Sequence, residues 1–294
     1  MEDIRFDALK QGIVDESFDV NLIARYKLVV KLHQSLLSLC VFDSEDHRCL
    51  AYERFQLQEG NTPQKLVNYL ENLWAAHQFL KAAFWKSVIF VSFGQDFSFV
   101  PIPMAEKEDA QSYLMINGSN LELKSIKNTK QWGLGVICYH SISSEIEQWI
   151  HKTYSESEIL FYHVTSAFLK GCADISKNNP NARIFASTFQ NNLLVSILEG
   201  EQLKFINSFT FKSPNDLVYY LLLVAQEYKL NPEKEMLTIW GDINEKSPMA
   251  DLVHSYFKNV VFGMRPEGLK FGFIFDELPN HQAFDIFSAY KLSL

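Results

Sequence analysis

The sequence predicts an α/β protein of two duplicated lobes, residues 1–180 and 181–294, each a mixed five-stranded sheet flanked by helices. Three observations predict it. The 294 residues exceed what one simple core normally organises. The stretch HQSLLSL at 33–39 returns as FQNNLLVSI at 189–197, a polar turn between two apolar strands. TPQKLVNYL from Thr62 returns as SPNDLVYYL from Ser213, the same helix start after the same run of strands. Self-similarity of this kind constrains the whole fold, because each copy must bury its apolar faces the same way.

In the first copy, RYKLVVKLHQ (25–34) crowds apolar residues as a strand covered on both faces does. Gln34 and Ser35 turn the chain into LLSLCVF (36–42), DSEDHR (43–48) makes the next turn, and CLAYERFQL (49–57) alternates as a third strand. Thr62 then caps a helix whose first position is Pro63. The hydroxyl accepts from an otherwise unbonded amide, and proline lacks the amide that would have had no partner there. Leu66, Leu70, Leu73 and Leu80 recur at helical spacing, which places this helix against one side of the sheet. SVIFVSFG reads as a strand ending at Gly94, AEKEDAQSYLMI (105–116) as a helix, and WGLGVICY (132–139) and SEILFYHV (157–164) as strands. Residues 142–152 and 165–176 read as helices. SKNNPNA (176–182) breaks both periodicities and reads as the linker.

The second copy repeats the order. ARIFASTFQ (182–190), LLVSILEG (193–200) and LKFINSFTF (203–211) form the meander, with Asn191 and Asn192 in its first turn. The helix LVYYLLLVAQEY (217–228) is apolar nearly all round, which predicts cover by a neighbour as well as by its sheet. MLTIWG ends in Gly241, SPMADLVHSYF (247–257) is a helix, NVVFG and FGFIF (271–275) are strands, and HQAFDIFSAYKL (281–292) is a closing helix.

Bulk properties narrow the function classes. With 47% hydrophobic residues, 24 of them Phe, there is ample material for a core. The net charge of -8 repels nucleic acid unless a local basic patch overrides it. The cluster of Lys124, Lys127 and Lys130 lies on what reads as a polar connector without interleaved aromatics, so no nucleic-acid partner is expected. Cys40, Cys49, Cys138 and Cys172 are scattered, with no Cys-x-x-Cys pair for zinc or dithiol chemistry. MEDIRFDALKQ has no secretory pattern and no apolar run approaches the roughly 18 residues of a membrane span, so a cytoplasmic protein is expected.

A three-strand meander, capped helix, strand, helix and further strand, duplicated across a cleft, resembles the actin-like ATPase fold of the ribonuclease-H-like group. The segments NLIARYKLVVKLHQSLLSLCVFD, FINSFTFKSPNDLVYYLLLVAQEYKLNPEKEMLTIWGD and HQAFDIFSAYKL are similar to a bacterial family of unassigned function expected to adopt that fold. The resemblance covers most of residues 20–292, strongest over 203–242 and weakest over 105–130. Similar two-lobed domains include a pilus-assembly protein and the cytoplasmic domain of a secretion-system component, in which the lobes serve protein contacts at least as much as ATP turnover.

Active members of that group carry an Asp, a spacer and a Gly in the first turn of each half, the Asp helping to hold hydrated magnesium and the small residues admitting phosphate. The matching turns here are Gln34-Ser35 and Gln190-Asn191-Asn192, which have neither. If ATP binds, the resemblance implies these five residues around phosphate, with Gly241 and Asp242 near base or ribose. The same residue types also occupy turns for backbone reasons alone. Asp43, Glu45, Asp46 and His47 could chelate a metal, and a solvated hairpin tip has the same composition. His163 reads as a cap on backbone groups at a strand-to-helix junction, and no triad or His-Glu-x-x-His pattern accompanies it. The expectation is a protein-interaction module with weak or no nucleotide binding and an unidentified protein partner, working as a monomer or homodimer. The alternative is an active ATPase or phosphotransferase that draws its magnesium ligand from elsewhere, Asp242 or Asp43.

Overall fold

The computed structural model describes residues 9–57, 62–105, 109–116, 118–178 and 182–294. The first half runs β1 (Leu9–Val14), β2 (Tyr26–Leu32), β3 (Leu36–Asp43), β4 (Arg48–Gln56), α1 (Pro63–Ala76), β5 (Ser87–Ser92), β6 (Phe97–Pro101), α2 (Ala110–Met115), β7 (Lys124–Gln131), β8 (Val136–Ser143), α3 (Ser144–Thr153), β9 (Glu158–His163) and α4 (Val164–Asn178). The second runs β10 (Ala182–Phe189), β11 (Asn192–Glu199), β12 (Gln202–Thr210), α5 (Pro214–Glu227), β13 (Met236–Gly241), α6 (Pro248–Tyr256), β14 (Asn259–Phe262), β15 (Lys270–Phe271) and α7 (Phe284–Leu292).

Both halves wind their main sheet in the same order. The first contains β4-β3-β2-β5-β9 and the second is β12-β11-β10-β13-β14, so in each the meander is followed by two strands parallel to its first strand. The predicted five strands of the first sheet gain β1 and the short β15, both on β4, making seven. Residues 93–157 add a small sheet, β6-β8-β7, between β5 and β9, where the second half has only α6.

The strands form where they do because both faces are covered. Every residue of β2 and β3 is buried. On one face lie Leu66, Leu70 and Trp74 of α1 and Ile146, Trp149 and Ile150 of α3. The other face meets α4 and α7, and these two helices also touch Phe185, Leu194 and Trp240 of the second sheet. They form a middle layer between the sheets, and α5 and α6 cover the far side of the second. Gly171 lets α4 approach α7, since a Cβ there would sit 2.4 Å from Phe284 Cζ. Both predicted caps are present: Thr62 Oγ1 accepts from Lys65, and Ser213 closes a capping box with Asp216.

Several expectations are corrected. The Lys124–Lys130 stretch is strand β7, because pairing to β8 supplies the order that its half-exposed polar sequence does not advertise. FGFIF holds only the last residue of two-residue β15 and then a 3-10 turn, Phe273–Glu277, with Phe273 95% exposed. The helix expected over 105–116 is confined to Ala110–Met115, with 106–108 outside the described residues, and α4 runs on to Asn178, leaving 179–181 of the expected linker likewise outside. Helix α5 is covered by its sheet and by the neighbouring α6, as its apolarity predicts, although Tyr219 and Leu223 stay exposed. The acidic tip is a set of ion pairs, Arg25 with Asp43 and Glu45 and Arg48 with Asp46, while His47 Nδ1 meets Tyr290 Oη at 2.7 Å.

Candidate functional site

The turns that open the two meanders face one another at the cleft between the lobes. In the first, His33 N–H donates to Leu36 O at 2.9 Å, which closes the hairpin and leaves Gln34 exposed and Ser35 buried. In the second, Gln190 takes a left-handed φ of 53°, a conformation more often left to Gly or Asn. His33 bridges the gap: its Nε2 lies 3.4 Å from the side-chain amide of Asn192. Its ring packs edge-on against Phe93 at 4.9 Å and Phe189 at 5.3 Å. A cavity of about 460 Å³ opens above this aromatic floor, and Gln34, Ser35, Gln190, Asn191 and Asn192 all line it. Structure and sequence agree on bringing these five together.

Gly241 ends β13 and Asp242 follows it beside the second turn, and neither lines the cavity. Gly241 has φ 100°, and a Cβ on it would stand 1.8 Å from Thr188 O. The Asp242 carboxylate accepts from Arg54 at 2.9 and 3.1 Å and from Gln190 N–H at 3.3 Å. It ties the second lobe to β4 of the first and points its charge at a guanidinium.

Sequence reasoning missed His33, Phe93, Gly94, Gln95 and Thr210 among the lining residues, and it missed Arg54. His33 and Phe189 each stand next to a predicted turn residue, and that adjacency was the available signal. Among the described residues, none that lines the cavity is acidic or basic apart from His33. Burial, with Lys31 nearby, holds the His33 imidazole down to about 4, so it is neutral near pH 7. Lys31 itself lies 3.7 Å from the Phe189 ring centroid with its ammonium 2.8 Å from Asp285. The described lining residues of the cleft therefore offer amides and hydroxyls and no carboxylate. Hydrated magnesium bound through carboxylate and phosphate oxygens does not fit these residues. Among the described residues no group of three His, Cys, Asp or Glu could hold a metal.

A second cavity, about 420 Å³, shares His33, Phe93 and Gly94 and continues into the first lobe as far as His163. His163 caps backbone as the sequence suggests: its Nδ1 accepts from Thr165 N–H at 3.3 Å, and its Nε2 is 3.2 Å from Gly94 O. Burial pushes its pKa down to about 4, the Gly94 bond opposing, and burial likewise lowers neighbouring His140. A histidine depressed this way binds protons more readily when unfolded. Its contribution to stability is therefore complete above about pH 6.5 and is lost as the pH falls toward 4. We expect His163 alone to cost roughly 2 kcal/mol between pH 7 and pH 5. Urea midpoints across that range should fall, and His163→Gln should reduce the slope by its share while His33 and His140 keep theirs; equal slopes in both proteins would contradict this.

The protein family described as "Protein of unknown function (DUF3822)" matches residues 15–260. No curated protein matches the chain. A Bacteroides thetaiotaomicron crystal structure, described as having an actin-like ATPase fold and unknown function, superimposes with a TM-score of 0.78 at 18% identity, covering 94% of this chain and 99% of that one. A chain of the PilM–PilN type IV pilus biogenesis complex gives 0.60 at 12% identity, covering 91% and 98%. The ethanolamine utilization protein EutJ from Carboxydothermus hydrogenoformans gives 0.51 at 10%, covering 95% and 92%. These likenesses establish the actin-like fold. No helix among the described residues is long and apolar enough to cross a membrane.

Proposed function

We propose, for a chain that belongs to the DUF3822 family of unknown function and has the actin-like ATPase fold, a role as a protein-interaction module whose cleft binds nucleotide weakly or not at all. The observation that carries this reading is the cleft lining: uncharged amides and hydroxyls over an aromatic floor, with the neighbouring carboxylate of Asp242 engaged by Arg54. Gln and Asn donate to phosphate but do not neutralise magnesium. That a similar chain belongs to a pilus biogenesis complex supports a role in protein contacts. Four free, buried cysteines support a reducing, cytoplasmic setting. In this reading the lobes are 1–180 and 181–294; the separation of the two main sheets supports the split, while β15 and α7 return to the first lobe.

Calorimetry with magnesium-ATP tests it. The expected result is no heat of binding and no phosphate release, whereas micromolar binding with turnover would overturn it. The alternative, an ATPase with a substitute magnesium ligand, retains Asp242 only. Asp43 sits at the other end of β3, roughly 23 Å along the strand from the cleft turn. Burial works against the charged form of Asp43, yet Arg25 holds its carboxyl below the ordinary range. Asp242 is favoured by its bond to the turn amide of Gln190, and Arg54→Ala would free it. Nucleotide binding gained in that variant alone would support the alternative.

A further inference from the structure

We propose that the groove between β6 and β12 takes an extended segment of a partner protein as an added β-strand. The proposal rests on the interaction-module reading and gives that module a place and a partner chemistry. Both strands are sheet edges: β6 is the outer strand of β6-β8-β7 and β12 the outer strand of the second sheet. The two line one groove of about 590 Å³, which meets the cleft cavity at Gln95.

The ladder geometry says which backbone groups face it. Phe211 N–H donates to Asn191 O at 2.9 Å, so Asn192 and Thr210 are opposed without exchanging hydrogen bonds. Alternation makes Leu194–Ser208 and Ser196–Ile206 pairs of the same kind, and Ile206 and Ser208 direct their N–H and C=O away from β11. Ser208 shows the consequence, since its N–H donates to Asn207 Oδ1 at 2.8 Å. On β6, Ser141 N–H donates to Asp96 O at 3.1 Å and Ile102 N–H to Gly135 O at 2.9 Å, which bracket the strand with non-exchanging pairs at Phe97 and Pro101. Phe99, midway between them, turns its N–H and C=O away from β8.

An extended chain laid in the groove meets Ile206 on one side and Phe99 on the other. Main-chain hydrogen bonds are the usual source of affinity in strand addition, and alternate side-chain pockets the source of specificity. The side walls are apolar and firm: Phe99, Leu203 and Ile206 pack onto the central core, and Val136 belongs to it. Among the described lining residues Lys204 alone is charged, and its ammonium lies 3.4 Å from Glu199. The segment that fits is therefore uncharged, apolar at every second residue, and about five to six residues long within the groove. Pro101 limits pairing along β6 and leaves β12 as the main template.

The test is selection of ten-residue peptides from a displayed random library against the full chain, followed by binding of the synthetic winners. The expected winners alternate apolar residues without internal proline, and backbone N-methylation weakens them about tenfold at every second residue only. Ile206→Pro removes an outward N–H without touching the ladder to β11, so it should cost a similar factor beyond that of Ile206→Ala, which shares its loss of core packing but keeps the N–H. An empty selection, or winners indifferent to both N-methylation and Ile206→Pro, overturns the groove. ATP turnover in the cleft would sink the module reading and leave the peptide result to judge the groove alone.

Discussion

Replacing Lys31 by methionine should destabilise the protein by about 3–5 kcal/mol, because it leaves a carboxylate buried without its counter-charge. Lys31 is the penultimate residue of β2, Asp285 lies in the first turn of α7, and both are almost wholly shielded from solvent with 2.8 Å between ammonium and carboxylate. Asp285 keeps one bond of its own, from Ile286 N–H at 2.8 Å, which is too little to solvate a buried charge. Burial pulls the Lys31 ammonium below its ordinary pKa, and Asp285 opposes that pull. The pair fastens the strand leading into the cleft turn to the helix that lies between the sheets. Urea denaturation of Lys31→Met, Asp285→Leu and the double variant measures it. The double variant should recover most of the loss, since removing both partners removes the desolvation penalty with the attraction. Additive losses in the double variant would show that the two residues act separately and that the lobes are joined some other way.

That pair also marks the boundary of what the sequence could tell. The helix starts at Thr62 and Ser213 were legible because capping is local: a hydroxyl, a proline and an amide three residues on are enough. The cleft turns were legible because the chain states them twice, and a repeated turn between repeated apolar strands has only one pairing that buries both. Strand β7 was not legible. Its sequence KSIKNTKQ has the composition of a connector, and only pairing with β8 makes it a strand. The cleft's own character was half visible: the absence of acids could be read, but not that His33, Phe93 and Phe189 would meet across lobes and close the floor. Nor could Arg54 be matched with Asp242, or Lys31 with Asp285, because partners so far apart in the chain meet only once the layers have stacked.

Gly241 separates a binding role from a structural one. As part of a nucleotide loop it would tolerate alanine in the free protein and lose affinity. The structure expects the opposite, a loss of roughly 3 kcal/mol of stability from Gly241→Ala with nothing bound. Two causes act together. A φ of 100° is strained for any residue with a Cβ, and that Cβ would lie 1.8 Å from Thr188 O and 2.7 Å from Thr188 N, both rigid backbone atoms of β10. The residue cannot relax freely, since its N–H donates to His281 O at 2.8 Å and the next N–H, of Asp242, donates to Thr188 O at 2.9 Å. Asp242→Asn should behave differently, because its carboxylate is 28% exposed and its ion pair with Arg54 is correspondingly weaker; a shift within about 1 kcal/mol is expected. Denaturation midpoints of the two variants, compared without nucleotide, decide the matter. A Gly241→Ala protein as stable as its parent would return this glycine to the cleft as a ligand-facing residue, and with it the case for a working nucleotide site.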